Sequence, residues 1–103
     1  MVKEVNQTEF DELLNAGKTI VCDFWASWCG PCRMLAPVME AVSESFSEAE
    51  FVKVNVDDNE ELATRYGVMS IPFVAIFFGG KLKAKSIGYL PEESMKEFLD
   101  ANL

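Results

Sequence analysis

The sequence predicts an α/β sandwich: a central mixed β-sheet flanked by helices on both faces. Three observations carry this. Two β-favouring runs, Thr19 to Ala26 and Phe51 to Val56, are each followed by a helical segment, the pattern of strands joined by crossovers. Two later runs, Pro72 to Phe78 and Lys81 to Gly88, meet at Gly79-Gly80, a hairpin signal that adds antiparallel pairing. The chain has 103 residues without repeats or long linkers, so it reads as one domain over residues 1–103.

In order along the chain, an initial short strand leads to Asn6 and Glu9, which mark a helix start. Phe10, Leu13 and Leu14 supply its apolar face until Gly17. In the run Thr19 to Ala26, residues Ile20, Val21, Phe24 and Trp25 crowd both faces, as in a buried central strand. Pro31 opens the next helix, whose inner face is expected to be Cys32, Leu35, Ala36, Met39, Val42 and Phe46, with Pro37 kinking it. After Phe51 to Val56 comes a short acidic helix over Asp57 to Tyr66, capped by Asp or Asn. Pro91, backed by Glu92 and Glu93, opens a last helix that buries Met95, Phe98 and Leu99.

Composition removes much chemistry. There is no histidine, which excludes imidazole-based triads and His-ligated metals. A net charge of −8 opposes nucleic acid and anionic membrane as partners, because phosphates repel such a surface. Met1 to Phe10 is polar and unlike a signal peptide, and the longest apolar run, Ile71 to Phe78, falls far short of the ~18 residues of a membrane span. The expectation is a cytoplasmic monomer. In that setting three cysteines are a poor disulfide framework.

Cys29 and Cys32 form a Cys-x-x-Cys pair where a buried strand gives way to a helix. Residues three apart at a helix start have Cβ atoms ~5–6 Å apart, close to what a disulfide bridges. The unpaired N–H groups and partial positive charge of the helix start stabilise a thiolate on Cys29. Cys32, one turn in and on the apolar face, is expected to be shielded beside an exposed Cys29: a nucleophile with its resolving partner. The competing readings are a zinc half-site and two structural thiols. Zinc usually takes four ligands and only Cys22 remains, a small core residue on the face opposite Asp23, so redox chemistry is the stronger reading.

The run Trp25-Ala26-Ser27-Trp28-Cys29-Gly30-Pro31-Cys32 resembles the W-A-x-W-C-G-P-C active-site motif of the thioredoxin family at every fixed position. The likeness extends over nearly the whole chain, through Asp23-Phe24, Pro37, Ile71-Pro72, Gly79-Gly80 and Gly88. It implies the thioredoxin fold and a protein dithiol–disulfide oxidoreductase. That oxidoreductase reduces substrate disulfides through Cys29 and Cys32 and is re-reduced by a separate thioredoxin reductase. No bound cofactor or metal is implied beyond the redox-active Cys29–Cys32 disulfide.

Asp23 breaks an apolar strand, and a buried carboxyl without a partner has its pKa pushed toward neutrality, where it suits a proton acceptor. The resemblance assigns it the proton of Cys32, and gives Lys53 a tuning role beside it. Ile71-Pro72 would be trans on frequency alone. The resemblance makes it cis and sets it opposite the cysteines, where the backbone before the proline pairs with an extended substrate. Trp28, Gly30, Pro31, Ile71, Pro72 and Gly88 then form the substrate-binding patch, and Trp25 packs inside. Phe73 and Tyr89 depart from the family's common Thr and small residue, and are expected to alter which substrates fit the rim. An oxidase or isomerase reading is disfavoured by Gly30-Pro31 without histidine. A scaffold reading is separable by Cys29→Ser, which would leave scaffolding intact.

Overall fold

The computed structural model describes residues 1–103, and the middle of its sheet is β2 (Ile20–Trp25). Residues 20–24 of this strand are all buried, because both of its faces and both of its edges are covered. On one side β3 (Glu50–Asn55) runs parallel to it, with Cys22 opposite Val52 and Asp23 opposite Lys53. On the other, β4 (Phe73–Phe78) runs antiparallel, with Cys22 opposite Ala75. A two-residue β1 (Lys3–Glu4) extends the sheet beyond β3, and β5 (Lys81–Ile87) beyond β4, giving the order β1-β3-β2-β4-β5. The sheet is mixed, as the two crossovers and the hairpin require.

Alternation of side chains along the strands sorts the core into two layers. Ile20, Cys22 and Phe24 face α1 (Gln7–Asn15) and α3 (Glu60–Arg65), which contribute Phe10 and Leu62. Val21, Val74 and Ile76 face α2 (Gly30–Ser43) and α4 (Glu92–Asn102), which contribute Leu35, Met39, Met95 and Leu99. The α1 start is a reciprocal cap: Asn6 Oδ1 accepts from the Glu9 N–H at 2.9 Å, and Glu9 Oε1 accepts from the Asn6 N–H at 3.0 Å. Gly79 and Gly80 turn the β4–β5 hairpin with φ of +60° and +79°, the left-handed pair that a tight two-residue turn needs.

Several local expectations shift. Ala36 is exposed, although the helical period placed it on the inner face. The line 32–35–39–42 runs along the middle of the buried stripe, and Ala36 falls to its flank. Ser43 is buried instead, its hydroxyl donating to the Glu40 carbonyl at 2.7 Å. Phe46 is buried from beyond the end of α2, near Phe51. Pro37 lies inside α2 on its solvent side. The third helix begins at Glu60, not Asp57, because residues 56–58 form a turn.

The contrast between neighbours on α2 is measurable. Leu35→Ala is expected to cost about 2–5 kcal/mol in urea unfolding, whereas Ala36→Ser stays within about 0.5 kcal/mol. Equal costs would return Ala36 to the core.

Candidate active site

At the end of β2 the chain leaves the sheet through Ala26, Ser27 and Trp28 and enters α2 at Cys29. Cys29 has extended backbone and occupies the N-cap position, where an oxygen-bearing side chain usually stands. Its sulfur takes that role, accepting the Cys32 N–H at 3.2 Å. The two cysteines are joined as a disulfide with Cα atoms 5.2 Å apart. The same free N–H groups and dipole favour negative charge on Cys29 once the bond is reduced.

Cys29 is less open than expected. It is 4% exposed and Cys32 2%, so the two differ little. Cys29 and Cys32 form a small buried cluster with Ala26, against which Trp25, Val56 and Ile71 pack, and only a small edge of Cys29 reaches the surface. The Ile71 carbonyl oxygen lies 3.9 Å from Cys29 Sγ, a packing contact while the sulfur carries no hydrogen.

The Ile71-Pro72 bond is cis, and the Pro72 carbonyl accepts from the Gly88 N–H at 2.8 Å. Ile71 itself is half-buried, and neither its N–H nor its C=O enters a backbone hydrogen bond. Pro72, like Cys29, is buried. Trp28 is 67% exposed, Pro31 is exposed, and Gly30 and Gly88 are half-buried, so these remain available at the surface. Phe73 is corrected. It is buried edge-on to Phe24, with centroids 5.8 Å apart, because β4 turns it into the α1/α3 layer, away from the rim. Tyr89 is exposed at the position expected.

Sequence reasoning missed the ties that hold this rim. Trp28 Nε1 donates to Asp57 Oδ2 at 2.9 Å, and Arg33 Nη1 donates to the Ser27 carbonyl at 2.9 Å. Asp57 read only as part of a helix start, and nothing local signals its contact with a residue 29 positions away. Met69, 94% exposed two residues before Ile71, was likewise unmarked; its position beside the proline motif was the available signal.

Asp23 stands on the sheet face that α2 covers, as the alternation from Val21 requires. It is 3% exposed, and burial pushes its carboxyl up to about 7, while the positive charge of Lys53 pulls the other way. Lys53 makes no direct ion pair with it; the ammonium lies 5.1 Å from the centroid of the Trp25 ring. Asp23 Oδ1 and Trp25 Nε1 are both buried without a hydrogen-bond partner. Cys22 points to the other layer, free and fully covered, its thiol raised well above the ordinary value by burial and then by Asp23. No group of three or more His, Cys, Asp or Glu side chains converges to hold a metal.

Asp23 makes stability depend on pH. In the folded chain its carboxyl keeps the proton up to about pH 7, against 3.8 for a free carboxyl. Between those values the unfolded state binds fewer protons, so stability is full below about pH 4 and falls as pH rises toward 7. Asp23→Asn is therefore expected to match the parent at pH 4. At pH 8 it should be more stable by up to about 4 kcal/mol in denaturant titrations. A variant no more stable at pH 8 would show that the carboxylate is solvated there.

The sequence model of the family described as Thioredoxin matches residues 1–101. A thioredoxin of Mycoplasmoides gallisepticum is 44% identical over 94 residues, covering 91% of this chain and 94% of that protein. One of Staphylococcus epidermidis is 40% identical over 103 residues, covering 99% and 98%. Among solved structures, a thioredoxin of Plasmodium falciparum superposes with a TM-score of 0.90 at 30% identity, covering 97% of this chain and 98% of that one. With the disulfide at the start of α2 and the order β1-β3-β2-β4-β5, these likenesses place the chain in the thioredoxin family of dithiol–disulfide oxidoreductases.

Proposed function

We propose that this oxidoreductase works in the reducing direction on disulfides of other proteins, with Cys29 as nucleophile and Cys32 as the resolving thiol. The observation that carries the assignment is the Cys32 N–H aimed at the Cys29 sulfur at 3.2 Å, at the positive end of α2. That contact favours negative charge on the Cys29 sulfur in the dithiol, and Cys32 Sγ receives no such bond.

In the reduced chain, the Cys29 thiolate attacks one sulfur of a substrate disulfide. A mixed disulfide forms, and the other substrate sulfur leaves as a thiolate that takes a proton from solvent. Cys32 then gives its proton to Asp23 and attacks the Cys29 sulfur. The second substrate thiolate leaves, and the Cys29–Cys32 disulfide forms. Two electrons have passed to the substrate. Asp23 fits the proton step because a carboxyl with a pKa of about 7 accepts and returns a proton near neutrality. Lys53, opposite it in the register, tunes that value.

An extended substrate pairs with the unpaired N–H and C=O of Ile71 while Trp28, Gly30, Pro31 and Gly88 take up its apolar flanks. A thioredoxin reductase restores the dithiol in each cycle. The setting we infer is cytoplasmic, with the chain a single-domain monomer free of nucleic acid and membrane. The net charge of −8 supports this, and no helix is long and apolar enough to cross a membrane.

The deciding experiment is the equilibrium reduction potential of the pair in a Cys22→Ser background. Each ~30 mV is tenfold in the exchange equilibrium. A value below the cytosolic glutathione couple is expected, and one above it would reverse the direction to oxidation or isomerisation. Two variants separate the thiols: Cys29→Ser is expected to lose all turnover, and Cys32→Ser to accumulate the mixed disulfide. Asp23→Asn should slow resolution on the order of 10²-fold and remove the rate inflection near pH 7.

A further inference from the structure

Besides long backbone bonds from Asp58 to the Asn55 carbonyl at 3.3 Å and from Asn59 to the Val56 carbonyl at 3.4 Å, the turn between β3 and α3 is held by side chains that do nothing for the helix it precedes. Asn59 stands at the N-cap position of α3, yet makes no cap bond. Both ends of its amide are engaged elsewhere. Its Oδ1 accepts from the Gln7 N–H, at the first residue of α1, at 2.9 Å, and its Nδ2 donates to the Asn55 carbonyl at 3.0 Å. One partner can only donate and the other only accept, so the orientation of the amide is determined. Asn55 Oδ1 in turn accepts from the Asp57 N–H at 2.9 Å, and Asp57 Oδ2 accepts from the Trp28 indole. A continuous run of hydrogen bonds thus joins the N-terminus of α1 to the exposed indole beside the disulfide.

We propose that Asn59 is a positioning residue for Trp28: it pins the Asn55–Asn59 turn to α1 so that Asp57 holds the indole at the rim. Asp57 and Asp58 are exposed at the tip of this turn, with no core contact to steady them. Trp28, 67% exposed, has as its one side-chain hydrogen bond the bond to Asp57. A rim ordered in advance spares the substrate the entropy of fixing it. The consequence for turnover rests on the reading of Trp28 as a substrate contact; the positioning itself does not.

Asn59→Asp is the informative variant. It keeps the acceptor for Gln7 and puts a carboxylate at the start of α3, where it is tolerated, but removes the donor to Asn55. The readouts are the Trp28 indole N–H resonance, assigned with Trp28→Phe, and the kinetics of reducing a protein disulfide. In Asn59→Asp the indole signal is expected to move toward its position in Asp57→Ala and to exchange faster with solvent. KM should rise about three- to tenfold, the range of one hydrogen bond, with kcat little changed. The double variant should be no worse than Asp57→Ala alone. An indole signal that stays in place in Asn59→Asp while Asp57→Ala moves it overturns the proposal, as do effects on KM that add. A displaced indole with unchanged KM leaves Asn59 as the positioning residue and overturns instead the substrate contact of Trp28.

Discussion

The backbone N–H of Cys32 points at the Cys29 sulfur across the first turn of α2, and most of the site follows from that one contact. A helix start has N–H groups with no partner inside the helix, and here a sulfur meets one of them. The arrangement exists because β2 is buried on every side and must release the chain at its end. α2 then packs back over the same sheet through Leu35, Met39 and Val42. The cysteine pair is therefore carried between a strand covered on every side and a helix packed on the same sheet.

That packing carries a cost in the same core. Asp23 sits in β2 between Cys22 and Phe24, both fully buried, and has an oxygen without a partner. An apolar residue there would pack without an ionisable group to desolvate. Burial holds the carboxyl near neutrality, the value that the proposed proton exchange with Cys32 requires. Lys53 moderates the effect from the neighbouring strand and finds its own stabilisation over the Trp25 ring. In the proposed mechanism, stability is given up at the residue that exchanges the proton.

The rim is built differently from its centre. Ile71 keeps its backbone groups unpaired beside the sulfur, and Trp28 stands in solvent, tied through Asp57. Arg33 reaches back to the Ser27 carbonyl from the second turn of α2. Polar contacts across the chain tie Trp28 and Ser27 while Ile71 is held half-buried, and an apolar surface stays open around a small accessible edge of Cys29.

Local signals determined a great deal. The order of strands and helices was legible because period, glycines, prolines and caps act over a few residues, as at Asn6–Glu9 and Gly79-Gly80. The Cys-x-x-Cys pair at a helix start and a lone carboxyl in an apolar strand were legible for the same reason: spacing and context sit within ten residues. Tertiary structure decided what depends on distant partners. Phe73 was expected to alter the rim from its place after the proline, but the α1/α3 layer draws it inward. The cover over the Ala26, Cys29 and Cys32 cluster includes Val56 and Ile71, far along the chain. The sequence marks the third helix with an Asp or Asn cap, and Asn59 does stand at the N-cap position, yet its side chain makes no cap bond. Only the packing of α1 against the β3–α3 turn gave its amide two other partners, and no pattern within one segment can report a hydrogen bond made across 52 residues.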